Sequence, residues 1–203
     1  MDIGETLNKI TELARHYPGT ISIQPQWHDR KRVYKYIGKF LCPVDEHLLQ
    51  FLLTFNRISL FGYSFMGIGD GDNVRDLYRF SQDCWELNHA LTPYFLVFSN
   101  GVSGEIIGSL TNYKGAKQYP VAYLPKPGAG KFIIIGSGFG EFLKNLVALA
   151  ENILSAGMEN NIAAILSSSD YWLSRDSLLQ QNMEKGIYRI SAQDNWKLEF
   201  GFS

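Results

Sequence analysis

The sequence predicts an α+β fold, a mixed and mainly antiparallel sheet covered by helices, and three observations predict it. Apolar residues recur at three- and four-residue spacings near 3–17, 43–56, 74–89 and 137–157, the period of helices with one buried face. Between them stand short β-branched and aromatic runs bounded by Gly, Pro and Asn, the pattern of strands joined through hairpins. With 203 residues, 45% hydrophobic and 19% charged, the chain is large enough for one core and too short for two catalytic domains in series. Residues 1–203 are therefore read as a single domain.

Ile3, Leu7, Ile10, Ala14 and Tyr17 place a helix over 3–17, with Asp2 as its cap and Glu5 completing a capping box. Pro18-Gly19 ends it. Residues 20–23 alternate in polarity and so do 32–36, which predicts a hairpin whose tip holds Trp27, His28, Asp29, Arg30 and Lys31. Pro43 stands as a first helical residue, Asp45 and Glu46 occupy the positive first turn, and Leu48, Leu49, Leu52 and Phe55 form a stripe up to Asn56. The aromatic and β-branched run 58–68 follows as strand. Residues 69–73 are a Gly/Asp loop before a helix carrying Val74, Leu77, Tyr78 and Trp85.

After Pro93, an apolar strand over 94–98 turns at Asn100-Gly101 and Gly104 and returns over 105–110, a central hairpin. Strands 120–124 and 132–135 flank a Pro/Gly loop at 125–130. Ser137 caps a long helix whose period is kept by Phe139, Phe142, Leu143, Leu146, Val147, Ala150, Ile153 and Leu154, and Gly157 stops it. The tail reads as a helix over 169–185 and two strands, 187–191 and 196–200.

A formal net charge of −1 gives no global basic field for a phosphate backbone, so no nucleic-acid partner is expected. The apolar runs fall short of a membrane span, and acids stand at the start of the chain where a secretory leader is basic, so the expected location is cytoplasmic. Cys42 and Cys84 have no zinc or disulfide spacing and read as buried thiols. The distribution of charge says more than its sum. Residues 41–110 hold eight acids and three bases, with no lysine. Asp70, Asp72, Asp76 and Asp83 cluster there around a loop and the start of a helix, and they are the residues put forward for contact with a partner. Solvation of loops and helix ends is the simpler role for such acids.

Motifs with chemical meaning fall short in their details. Gly136, Gly138 and Gly140 follow a strand and open a helix, but Glu141 occupies the third position of a dinucleotide fingerprint, where a carboxylate repels pyrophosphate. Gly130-Lys131 imitates a P-loop, yet Phe132 replaces the magnesium-binding hydroxyl. Ser103 lacks the strand-to-helix corner of a nucleophile elbow. The four histidines have no metal-ligand spacing, and Asp70, Asp72 and Asp76 lack the glycine and terminal glutamate of a calcium loop. Arg30-Lys31-Arg32 beside Trp27 could stack and clamp a single strand, although a solvated tip explains them as well. No catalytic, cofactor or metal residues are therefore assigned.

One resemblance covers about residues 40–155. A Leu/Phe helix ending at Asn56, an aromatic strand with Phe61-Gly62, a helix bearing Trp85, the run from Pro93 to Glu105, Tyr119-Pro120-Val121, and Ile135 through Leu143 together resemble the SUKH superfamily, relatives of fungal cell-wall synthesis regulators. The resemblance implies a SUKH-like α+β core, from which the sequence departs by its extra ends, a helix and hairpin over 1–39 and a helix and hairpin over 156–203. It also implies a non-enzymatic binding module, chiefly a bacterial immunity protein that neutralises a cognate toxin. Two alternatives stand beside it. One is a small-molecule or nucleotide-binding enzyme using the Gly136–Gly140 corner, and the other is a regulatory scaffold for endogenous proteins.

Overall fold

The computed structural model describes residues 2–40, 42–69, 76–87, 95–111, 118–125, 132–156 and 162–187. Helix α1 (Ile3–His16) has the expected capping box: Glu5 accepts from the Asp2 N–H at 2.9 Å while the Asp2 carboxylate accepts from the first turn. It buries Ile3, Leu7, Ile10 and Leu13. Strand β1 (Ile21–Pro25) follows, but the second arm of the expected hairpin is a helix, α2 (Arg30–Ile37). Asp29 caps it by accepting the Arg32 N–H at 2.7 Å. Val33, Tyr36 and Phe40, at spacings of three and four, are the buried set, while Tyr34 stays outside.

Helix α3 (Glu46–Thr54) is capped by Asp45, whose carboxylate accepts from His47 and Leu48, so Pro43 lies ahead of the cap rather than inside the helix. Leu48, Phe51 and Leu52 are buried, and Phe55 already opens β2 (Phe55–Leu60). The run read as one aromatic strand folds back on itself. Phe61 and Gly62 have φ of 50° and 83°, the paired positive values of a two-residue hairpin turn, and β3 (Tyr63–Met66) returns with Tyr63 opposite Leu60.

The remaining strands are β4 (Phe95–Asn100), β5 (Ile106–Leu110), β6 (Val121–Leu124) and β7 (Ile133–Gly136). The sheet expected to be mixed and mainly antiparallel is antiparallel at every described pair, and its seven strands lie in chain order. Strands β4, β5 and β6 are buried nearly throughout, so both of their faces are covered. Over one face lie α3 and α5 (Phe139–Ala156). Phe51 meets Phe139 at 5.4 Å between ring centroids, Phe98 meets Phe139 at 5.1 Å, and Phe65 stacks on Phe98 at 6.2 Å. The buried stripe of α5 is the one its periodicity predicts, with Leu154 at its margin.

Helix α4 (Leu77–Leu87) occupies a split in the sheet. Strands β3 and β4 share only two register pairs, Ser64↔Asn100 and Phe65↔Ser99. Beyond them α4 supplies the missing donors: the Leu77 N–H to the Gly67 carbonyl at 2.9 Å, the Ser81 hydroxyl to Val97 at 2.8 Å and the Trp85 indole N–H to Phe95 at 2.9 Å. Four residues of helix rise about 6 Å and two of strand about 6.6 Å, so Ser81 and Trp85 match alternate carbonyls of β4.

The expected cap at Ser137 is not made. Helix α5 starts at Phe139, the Gly138 carbonyl accepts its first N–H from Phe142, and Ser137 bonds instead to Asp176. The single tail helix is two, α7 (Ser169–Leu173) and α8 (Ser177–Glu184), because Asp176 caps a new start. They are preceded by α6 (Ile162–Leu166), which the sequence pattern did not announce. Asp70, Asp72, Val74, Gly157, most of the 125–130 loop and the tail strands after Ile187 lie outside the described residues. No helix among the described residues is long and apolar enough to cross a membrane.

Candidate functional site

The second helix and the fourth meet at their ends. Tyr36 projects from the buried side of α2, and its hydroxyl accepts the Tyr78 N–H at 2.7 Å while also hydrogen-bonding to Asp76. Burial pushes this phenol far above its ordinary range, and the Asp76 carboxylate adds to the rise against the opposing Tyr78 N–H. Phe40 packs edge-on against Tyr78 at 5.2 Å. This tie leaves a concavity of about 580 Å³ lined by Arg32, Lys35, Lys39, Arg79, Asp76 and Gln82, with Tyr36, Tyr78, Ile68 and Gly69 completing its wall.

Among the described residues, four cations and one carboxylate line that cavity. Asp76 is engaged: it accepts the Arg79 backbone N–H at 2.8 Å in addition to its contact with Tyr36. Lys39 lies over the Tyr36 ring at 5.4 Å, and the Gln82 amide donates to the Tyr78 hydroxyl at 3.1 Å. Among the described residues neither Lys35 nor Lys39 has a carboxylate partner.

Of the four acids put forward from the sequence, Asp76 and Asp83 are described. Asp76 sits at the cationic cavity. Asp83 stands half-buried two turns farther along α4 and does not line it. Asp70 and Asp72 lie outside the described residues. The structure thus brings Asp76 together with bases that sequence reasoning did not group. Arg32, Lys35 and Lys39 are spaced by three and four, a signal visible only once 30–37 is recognised as helix.

The glycine corner is packed with side chains. A Cβ at Gly136 would stand 2.8 Å from that of Phe142, one at Gly138 would stand 2.7 Å from the Gln118 amide oxygen, and one at Gly140 would run into the His47 ring. These glycines give their space to neighbours. Glu141 accepts from Lys144 at 2.7 Å on the helix surface. Ser103 lies on an exposed hairpin turn, where its N–H donates to the buried Glu105 carboxylate at 2.9 Å. No group of three or more metal-ligating side chains is gathered among the described residues. Compared with known proteins, the chain matches no protein-family model and no curated protein.

Proposed function

We propose that the chain is a non-enzymatic protein-binding module of the SUKH type, a cytoplasmic immunity protein that neutralises a cognate toxin by covering its active site. The observation that carries this reading is the pair Trp27 and Tyr34, left 55% and 51% exposed on and beside α2. Large aromatics interspersed with arginine are the residues on which protein interfaces concentrate their binding energy, and Arg30 lies one turn from Tyr34 on the same side of the helix. The order of motifs behind the family resemblance also supports it, since they follow one another as α3, the β2–β3 hairpin, α4, the β4–β5 hairpin, β6, β7 and α5. The filled glycine corner weighs against a nucleotide enzyme built there.

The test is a search of the neighbouring genes for a toxin domain and co-expression with the one found, followed by binding of the two purified proteins. Growth rescue and a stable complex are expected. Trp27→Ala should weaken the complex by about 30-fold or more, the scale of an interface hot spot. A chain that neither rescues growth nor binds the toxin would remove the proposal.

A further inference from the structure

We propose that the open face of β1, β2 and β3 is a docking surface for an extended acidic segment of a partner protein, with Arg57 at its centre. The strand register puts Gln24, Arg57 and Met66 in one row across the three strands and Ser22, Ser59 and Ser64 in the next. Side chains alternate along a strand, so both rows point away from Ile58 and Phe65, which are buried in the core under α3 and α5. Ser22 and Gln24 are exposed, and Arg57, Ser59 and Ser64 are half-buried. The surface holds neither Trp27 nor Tyr34, so it is independent of the toxin contact proposed above.

Arg57 separates this face from an ordinary solvated one. One of its guanidinium N–H groups donates to Met66 Sδ at 3.5 Å, a weak acceptor, and among the described residues it meets no carboxylate. A half-buried cation without a counter-charge carries a desolvation cost that nothing within these strands offsets. Strands β1, β2 and β3 contain no acid, so the face presents one fixed positive charge to an incoming carboxylate, which the planar fork takes through two parallel bonds. Around it the hydroxyls of Ser22, Ser59 and Ser64 and the Gln24 amide make no hydrogen bond among the described residues and are open to a partner's backbone. An extended chain laid along the strands repeats its same-side residues at about 6.6 Å, the separation of the two rows. A carboxylate over Arg57 therefore sets the next same-side residue over Ser59. Arginine is enriched among the anchors of protein interfaces, and the small serines let a second chain come close.

Titration of the full chain, followed by amide NMR, with a peptide alternating Glu and Thr, its Lys and Thr counterpart, heparin and oligothymidylate tests this. The acidic peptide should shift the amides of Ser22, Arg57, Ser59 and Ser64, the basic one should not, and added salt should weaken the effect. Arg57→Gln should lower affinity for the acidic peptide by about tenfold or more, the scale of a lost charge-assisted pair. Arg57→Lys keeps the charge without the fork and should lower it less. Ser59→Asp leaves Arg57 in place and sets a carboxylate beside it on the same face. This variant should melt as the wild type does and still fail to bind the peptide, so the outcome does not hang on removing the arginine. Absence of binding, shifts confined to α2, binding undiminished in Arg57→Gln and Ser59→Asp, or an Arg57-dependent preference for heparin or oligothymidylate would overturn the proposal, the last by giving the face to a glycan or a nucleic acid.

Discussion

Asp176 and Ser137, 39 residues apart, form a buried clasp. One carboxylate oxygen takes the Ser137 N–H at 2.7 Å, and the other takes the Ser137 hydroxyl at 3.0 Å and the Leu179 N–H at 2.9 Å. The acid is 2% exposed, so a single side chain both starts α8 and fixes the tail to the corner before α5. Beside it Trp172 of α7 meets Phe142 at 5.8 Å, which makes the tail a wall of the same core.

Asp176→Ala should therefore cost the protein heavily. It leaves two buried N–H groups and a hydroxyl without their acceptor, and hydrogen bonds to charged groups contribute about 1.5–3 kcal/mol each. A loss of about 3 kcal/mol or more in urea denaturation is expected. Ser137→Ala removes one donor and keeps the backbone bond, for a loss of about 1 kcal/mol. Equal stability of Asp176→Ala and wild type would mean that the clasp does not hold the tail.

Ser81 and Trp85 should be more important than their place on one helix suggests. Each satisfies a β4 carbonyl where β3 has diverged. Ser81→Ala leaves the Val97 carbonyl without its hydroxyl donor in a site where Ser81 is fully buried, and about 1–3 kcal/mol is the expected loss. Trp85→Phe keeps an aromatic ring but deletes the N–H and the second ring of the indole, which packs against the core. Faster amide exchange in β4 of both variants, ahead of that in β5 and β6, is the measurement that checks the split.

The fold was legible where one period was unambiguous. Eight apolar positions fixed the stripe of α5, and Asn100-Gly101 with Gly104 fixed the central hairpin. The pattern failed at 30–37, because Arg32-Val33-Tyr34-Lys35-Tyr36 alternates like a strand while Val33, Tyr36 and Phe40 equally fit a helix. Asp29 decides between them by capping, and β1 finds its partner in β2 instead. That error concealed the cavity, since Arg32, Lys35 and Lys39 share a side only on a helix. The Ser137–Asp176 bond was illegible for another reason: a Ser before a helix reads as its cap, and nothing local reveals an acid 39 residues away.

Alkaline pH should destabilise the protein through its tyrosines. Burial raises Tyr36 and Tyr63 far above the ordinary phenol value near 10, with Tyr123 adding to the effect at Tyr63. The folded state thus holds these protons more tightly than the unfolded chain does. Their contribution is fully present below about pH 10 and is lost progressively as pH rises beyond it toward the folded values. Melting temperature should begin to decline above about pH 8.5, where the buried Cys42 thiol starts to lose its contribution, and fall steeply between about pH 10 and 11 as the tyrosines do. Tyr36→Phe, which also forfeits the bond to the Tyr78 N–H, should start lower by about 1 kcal/mol and fall less steeply. Parallel curves for the two proteins would exclude Tyr36 from the transition.

The acidic block gives the last prediction, which concerns the encounter with the proposed toxin partner rather than the bound contact. If Asp70, Asp72, Asp76 and Asp83 steer the chain onto a basic toxin surface, their neutralisation should slow association and leave dissociation nearly unchanged, because long-range charge acts on encounter. Asparagine is the substitution of choice. It keeps an acceptor for the Arg79 N–H that Asp76 holds at the start of α4, so folding is preserved. Asp76 also faces four cations, so Asp76→Asn alone should change the association rate by less than about twofold. The quadruple variant should associate more slowly and with a flatter dependence on salt than wild type, whereas Tyr34→Ala should raise the dissociation rate instead. Unchanged association of the quadruple variant, with dissociation governed by Trp27 and Tyr34, would place both steering and contact on the α2 side of the molecule.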